Sequence, residues 1–282
     1  MPVTASPLRY PGGKTKLYSF VRPIVEKNVG AESIYVEPFA GGAGLALKLL
    51  FQKDVERLVL NDIDENIFGF WQSCLYHTDE LCTLIDKCLP TIDVWDEQRT
   101  IYHNPESHSM VEIAFATLFL NRCNVSGVIS GGPIGGRKQS GKYLISARFN
   151  SEGLITKIRK IGANSDRISF YNMEASAFLQ TIVVDLPLDT TFVNIDPPYV
   201  KKGPMLYRNS FSIGDHQALS NIIKTLKHKW MVTYDECELI SSLYADYPTK
   251  LLTLKYSAGQ PKSGKELAIF DSNLFLKLSE NI

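Results

Sequence analysis

Strand-like and helix-like segments alternate in two separate blocks of this chain, and that rhythm limits its fold more than any other feature. In the first block, Ser33 to Glu37 reads as a strand, Ala43 to Gln52 as a helix and Arg57 to Asn61 as a second strand. Another helix begins at Asp64, with Ile67, Phe70, Trp71 and Cys74 at helical spacing. In the second block, Arg167 to Tyr171, Thr191 to Ile195 and Trp230 to Tyr234 are strands, with helices over Glu174 to Ile182 and Asp215 to Leu226. The C-terminal part reads as antiparallel: Lys250 to Tyr256, then Glu266 to Phe270 and Leu274 to Leu278 around the turn signal Asp271-Ser272-Asn273. Strands joined through helices run parallel, because a parallel neighbour needs a long crossover. The expected fold is α/β, with a mostly parallel sheet closed by a terminal antiparallel hairpin.

Residues 75–165 break the rhythm. Their first part reads as helical, notably Met110 to Asn121, and a loop dense in glycine follows (Gly127, Gly131, Gly132, Gly135, Gly136 and Gly141). Between Gly131 and Lys160 there are seven basic residues, including Arg137, Lys138 and Lys142, against one acid, Glu152. The whole chain carries 30 basic and 30 acidic side chains and no formal net charge, so this local excess points to a polyanion. A solvated basic linker is the alternative. The expected organisation is therefore a first part of a catalytic domain over 1–74, an insert over 75–165 and a second catalytic part over 166–282.

At 282 residues with 44% hydrophobic content, the chain can build a full core without staples. Its five cysteines are odd in number and form no CxxC pair, which speaks against a disulfide framework or structural zinc and for a reducing cytosol. The five histidines lack metal spacing, so no metal is expected. No stretch reaches the roughly 18 apolar residues of a membrane span. A cytoplasmic protein, with no membrane partner, is the expectation.

Tyr35 to Gly44 reads as strand, tight glycine turn and helix start, with Glu37-Pro38-Phe39-Ala40-Gly41-Gly42 at its centre. Glycines let a ligand approach the backbone, and a helix start offers unpaired N–H groups. Many nucleotide binders share such a turn. Glu37, however, ends the strand where a dinucleotide's pyrophosphate would be repelled, whereas a cationic ligand would tolerate the acid. Asp62 ends the next strand, where a carboxylate can accept from ribose hydroxyls. A positively charged nucleoside without phosphate describes S-adenosylmethionine; NAD is the competitor. The segment Arg9 to Lys14 lacks the spacing of a phosphate loop and reads instead as an arm that folds over a ligand.

The run Thr191 to Ile195 stops at Asp196-Pro197-Pro198-Tyr199. Neither proline can donate to a ladder, so a buried strand ends in a carboxylate, a stiff turn and an aromatic ring. An Asp-Pro turn alone is a common structural device. The four residues together suit a planar ring bearing an amine.

With these segments in this order, the chain resembles the D12 class, or Dam-like, DNA adenine-N6 methyltransferases. The resemblance implies a class I S-adenosylmethionine-dependent methyltransferase fold with an inserted, mainly helical target-recognition region at 75–165. It matches Tyr10, Lys14, Asp62 and Asp196 to cofactor-contacting residues, Ile63 to the residue against the cofactor adenine, and Asp196 to Tyr199 to the catalytic motif. It also implies that Asp196 and the Pro197 carbonyl hold the adenine amine while Tyr199 stacks on a flipped base. Glu37 to Gly42 become the cofactor loop. Leu120-Asn121-Arg122 with Ser126-Gly127 resembles the family's recognition segment, so Arg122, Asn124, Arg137, Lys138 and Lys142 are the expected DNA contacts. Dam-like members carry an aromatic wedge where this chain has Val125, and the stretch Ile129 to Gly136 differs from the loop of GATC methylases. The resemblance therefore does not extend to a GATC target. It implies a monomer acting on double-stranded DNA in a bacterium or phage, with a cognate restriction endonuclease as a functional partner. RNA adenine or cytosine-N4 methylation, and a DNA-binding relative without catalysis, are the alternatives.

Overall fold

The computed structural model describes residues 4–9, 13–200, 211–256 and 262–276. Seven strands, β1 (Ile34–Glu37), β2 (Arg57–Asn61), β3 (Ile168–Tyr171), β4 (Thr191–Ile195), β5 (Lys229–Asp235), β6 (Thr249–Tyr256) and β7 (Lys262–Phe270), form one sheet in the order β3-β2-β1-β4-β5-β7-β6. β1 pairs in parallel with β2 and β4, β4 with β5, and only β7 runs antiparallel to its neighbours. The expected α/β sheet with a terminal hairpin is present. The chain divides into two compact units, the first from 1–15, 41–47 and 62–172 and the second from 16–40, 48–61 and 173–282.

In the second unit, every residue of β4 is buried, as is every residue of β5 except its first. That explains why these strands read as continuous apolar runs rather than alternating ones. Tyr35 of β1 stacks on Phe192 of β4 with ring centroids 6.2 Å apart and planes 5° from parallel. The helix Tyr18–Val29 survives Pro23 in its interior because Phe20, Val21, Ile24 and Val25 bury one face. Tertiary burial here outweighs the lost hydrogen bond, a gain that no local sequence pattern signals.

The antiparallel part differs from expectation in its strands. The hairpin is β6 with β7, paired from Thr249↔Ile269 to Tyr256↔Lys262. Residues 274–276 form no strand, and 277 and 278 lie outside the described residues. The backbone donors after β7 are already engaged: Leu274 N–H with the Asp271 carbonyl at 3.0 Å and Phe275 N–H with Asn28 Oδ1 at 2.8 Å.

The first unit is mainly helical. Met110–Cys123 is buried on almost all sides and packs against Glu65–Tyr76 and Ile92–His103. Its start is a capping box, in which Ser109 Oγ accepts from Glu112 N–H and Glu112 Oε2 accepts from Ser109 N–H. The basic stretch holds a further helix, Ser151–Gly162, capped by Asn150 and buried through Leu154, Ile158 and Ile161. Gly153 and the neighbouring glycine-rich loop mask that spacing in the sequence. No helix among the described residues is long and apolar enough to cross a membrane.

Phe192 is fully buried in the middle of β4. Phe192→Ala is expected to cost about 3–5 kcal/mol, as deletion of a core aromatic does, read as a lower urea midpoint.

Candidate active site

Asp62, just past β2, organises the first unit's part of the glycine turn. Its Oδ2 accepts from Gly41 N–H at 2.8 Å and its Oδ1 from Asp64 N–H at 3.0 Å. Trp71 Nε1 donates to the Gly41 carbonyl at 2.9 Å, so both polar groups of that peptide are fixed. Gly41 and Ala43 both sit at φ 45°, in the left-handed region. For Ala43 that conformation costs roughly 1 kcal/mol, a local strain that the surrounding hydrogen bonds hold. At Gly44 a Cβ would meet Thr15 Oγ1, so a side chain there would require the Thr15 hydroxyl to move.

Burial raises the Asp62 carboxyl to about 6, and N–H donors from Asp64 and Gly41 oppose the rise without cancelling it. Asp62 nonetheless keeps part of its surface exposed, and the adjoining Ile63 side chain is 48% exposed. An acceptor beside an exposed apolar side chain can receive a sugar hydroxyl while a flat ring lies alongside. Lys14, at the start of a short 3-10 turn, is buried; Tyr10 lies outside the described residues.

In the second unit, Asn61 ties down the strand-end segment Glu37 to Ala40. Its Nδ2 donates to the Pro38 and Met173 carbonyls, both at 3.0 Å, and its backbone carbonyl accepts from Ala40 N–H at 2.8 Å. Glu37 is buried, and its charge and hydrogen bond add to the burial that pushes the Tyr35 phenol well above its ordinary range. Phe39 is partly exposed and meets Phe211 edge-on at 5.8 Å.

Asp196 follows the last residue of β4. Its Oδ1 accepts from Thr233 Oγ1 at 2.7 Å. Val200 N–H, just past Tyr199, donates to Asp235 Oδ1 at 3.0 Å. Pro197 is buried, whereas Asp196, Pro198 and Tyr199 keep partial exposure. The Tyr199 ring lies 6.4 Å from Tyr234, and the Tyr234 hydroxyl is 3.0 Å from His216 Nδ1. Burial lowers the His216 pKa, which keeps the imidazole neutral as a fixed hydrogen-bonding partner. Nothing in the sequence marks Thr233, Tyr234, Asp235 and His216 out from a core strand and a helix. The rule that active groups sit at the carboxyl ends of parallel strands was the available signal.

The recognition-region candidates divide by burial. Asn124 is fully buried: Oδ1 accepts from Trp95 Nε1 at 2.6 Å, and Nδ2 donates to the Val128 and Ile129 carbonyls. All its side-chain groups hold the loop together, so the expectation of a DNA contact is corrected to that of a loop anchor. Gly127 (φ 78°) approaches so closely that a Cβ would lie 2.6 Å from the Arg9 carbonyl, and Asn121 binds the Arg9 N–H and carbonyl in turn. Arg122 is half-buried, with Nε on the Arg148 carbonyl at 2.8 Å and Nη1 on the Pro7 carbonyl at 3.3 Å. Arg137 makes a bidentate surface pair with Asp96 at 2.7 and 2.8 Å. Lys138, Lys142 and Val125 are exposed, the last to 55%.

A cluster of cations surrounds Arg122. Burial first, and then the charges of Arg9 and Arg148, lower it to about 10; burial and then Arg148 also lower Arg9. Lys157, on the Ser6 carbonyl at 3.2 Å, is lowered by burial and by Arg122. Among the described residues no carboxylate forms an ion pair with any of the four. In the sequence Arg148 and Lys157 belong to a basic run and Arg9 to the N-terminal arm, and no spacing rule joins Arg9 to Arg122.

Among solved structures, the chain is similar to TrmK of M. capricolum in complex with S-adenosyl-homocysteine, at 11% identity over 93% of this chain and 72% of that one, with a TM-score of 0.40. It is also similar to the rRNA methyltransferase aviRa of Streptomyces viridochromogenes, at 13% identity over 93% and 85%, with a TM-score of 0.37. A third is a precorrin-6y C5,15-methyltransferase of Geobacter metallireducens, at 8% identity over 92% and 88%, with a TM-score of 0.38. No curated protein matches. The family model for D12 class N6 adenine-specific DNA methyltransferase matches residues 10–258, most of the chain. This protein therefore belongs to the D12 class of N6 adenine-specific DNA methyltransferases.

Proposed function

We propose that this protein transfers a methyl group to the exocyclic N6 of an adenine swung out of duplex DNA. The methyltransferase fold is class I, and the cofactor is S-adenosylmethionine, whose sulfonium supplies an electrophilic methyl group. The groups around Asp62 fit its nucleoside. A partly exposed carboxylate, already oriented by two N–H donors, retains lone pairs for ribose hydroxyls, and the exposed Ile63 offers an apolar surface to the adenine. Tyr10, Lys14, Gly41, Gly42, Asp62 and Ile63 are the proposed cofactor residues from the first unit. Glu37, Pro38, Phe39, Ala40 and Asp196 are those from the second.

The observation that carries the reading is the Asp196 carboxylate at the end of a buried strand, one oxygen held by Thr233, ahead of two prolines and a partly exposed tyrosine. Adenine N6 is a poor nucleophile because its lone pair is delocalised into the ring. Asp196 and the Pro197 carbonyl accept hydrogen bonds from its two N–H groups, which draws the lone pair out of conjugation and aims it at the methyl group. As the N–C bond forms, the bonding electrons leave with the cofactor's sulfur and one N6 proton is lost. Tyr199 stacks on the base. Orientation and fixed dipoles then supply most of the rate. A target atom inside a duplex is out of reach, so the base must leave the stack.

Region 75–165 is the proposed recognition insert. Arg122 with Arg9, Arg148 and Lys157 would hold backbone phosphate, because clustered cations without a carboxylate gain most from an anion. Lys138, Lys142 and, once parted from Asp96, Arg137 extend that surface.

Genomic DNA from a methylation-free host expressing the protein is expected to carry N6-methyladenine in one short motif. Asp196→Ala should abolish the mark, and DNA free of it in both cases would overturn the reading. Arg148→Gln or Lys157→Gln should weaken binding to every duplex alike and reduce the slope of log affinity against log salt by about one. Because the Asp62 pKa is raised from 3.8 to about 6, the folded protein loses stability as pH climbs through that window, while the ionised form is the better hydroxyl acceptor. Cofactor affinity should therefore rise with pH through about 6, and Asp62→Asn should flatten that rise in calorimetric titrations.

A further inference from the structure

Asp196 needs more than its place in the chain to act on an amine. The terminal torsion of an aspartate is broad, so a strand-end backbone fixes where the carboxyl sits but not which way its oxygens face. The two prolines that follow cannot help, since neither has an N–H to anchor the turn. The anchors come instead from the neighbouring strand. β4 and β5 run in parallel register through Asn194↔Met231 and Ile195↔Val232, which brings Thr233 beside Asp196. Thr233 is 1% exposed, and its hydroxyl hydrogen goes to Asp196 Oδ1 at 2.7 Å. Two residues further along the same face of β5, Asp235, 5% exposed, accepts Val200 N–H at 3.0 Å. The segment from Asp196 to Val200 is thus gripped at both ends by one strand, at spacing i and i+2.

We propose that β5 is a two-point clamp on the Asp-Pro-Pro-Tyr segment, and that Thr233 is a positioning residue whose hydroxyl aims the Asp196 carboxylate at the target amine. The inference rests on the reading of Asp196 as the group that holds N6. With one oxygen fixed by a short, charge-assisted hydrogen bond, the plane of the carboxylate is fixed and the direction of the second oxygen with it. Removing the hydroxyl leaves the carboxylate in place but takes away the constraint that aims this oxygen. The loss therefore falls on the step that depends on aim, not on the binding of either substrate.

The test uses the full chain, labelled S-adenosylmethionine and genomic DNA from a methylation-free host. Thr233→Val, nearly isosteric, is expected to lower kcat about tenfold or more, with KM for DNA and for the cofactor within about twofold, as loss of a hydrogen bond to a charged group requires. Thr233→Ser keeps the donor and should return kcat to within about threefold of the wild type. Where Thr233→Val does not fold, judged by its thermal melt, Thr233→Cys takes its place, and its weaker donor must also lower kcat. A Thr233→Val enzyme at the wild-type rate, a Thr233→Ser enzyme as slow as Thr233→Val, or a loss confined to KM would each overturn the clamp. If Asp196→Ala is inactive while Thr233→Val is unaffected, only the clamp fails. If Asp196→Ala keeps the wild-type rate, the reading of Asp196 fails, and the clamp with it.

Discussion

β4 and β5 are covered on both faces, so charge can be held only where these strands stop. An ionised carboxylate in the middle of β4 would be costly, because nothing there could solvate it. One residue past the end, Asp196 has a hydroxyl on one side and partial exposure on the other. The same logic governs Glu37, the last residue of β1, and Asp62, the residue after β2. The sheet drives its polar chemistry to one edge, and its register decides which of those groups become neighbours.

That edge explains how much the sequence disclosed. Asp196, Asp62 and Glu37 were legible as strand ends because each follows an apolar run that must be buried, and the run fixes where the acid emerges. Their partners were not legible. Thr233 lies inside an apolar stretch and reads as a β-branched core residue, and only the β4–β5 register turns its hydroxyl into a partner for Asp196. Asn124 misled in the opposite direction. A polar residue beside a glycine-rich loop reads as exposed, yet Asn124 is fully buried and its three side-chain hydrogen bonds make it the loop's interior. Arg9 and Asn121 meet across more than a hundred residues of chain, a separation no local pattern encodes. The Tyr18–Val29 helix was hidden by Pro23, whose local penalty is outweighed by a buried face.

A line of rings in the second unit gives Tyr199 a second support besides the clamp on its backbone. Phe39 meets Phe211 at 5.8 Å, Phe211 meets His216 at 5.3 Å, His216 meets Tyr234 at 5.5 Å, and Tyr234 meets Tyr199 at 6.4 Å. Because His216 is neutral and hydrogen-bonded to Tyr234, this stack has one preferred geometry rather than a sliding apolar contact. It joins Phe39, in the segment after β1, to Tyr199 through packed side chains.

The acids at this edge form an arrangement that burial alone does not favour. Glu37, Asp196 and Asp235 share one sheet face, since Tyr35 stacks on Phe192, side chains alternate along each strand, and Thr233 reaches Asp196. Glu266 of β7 lies opposite Asp235 on the same face. Like charges placed across adjacent strands repel, and three of these four are buried. Backbone donors and a hydroxyl offset part of that repulsion, as Val200 N–H and Thr233 Oγ1 do. A row of negative charge also favours a cation over an anion at that edge. A sulfonium satisfies that preference and a pyrophosphate does not.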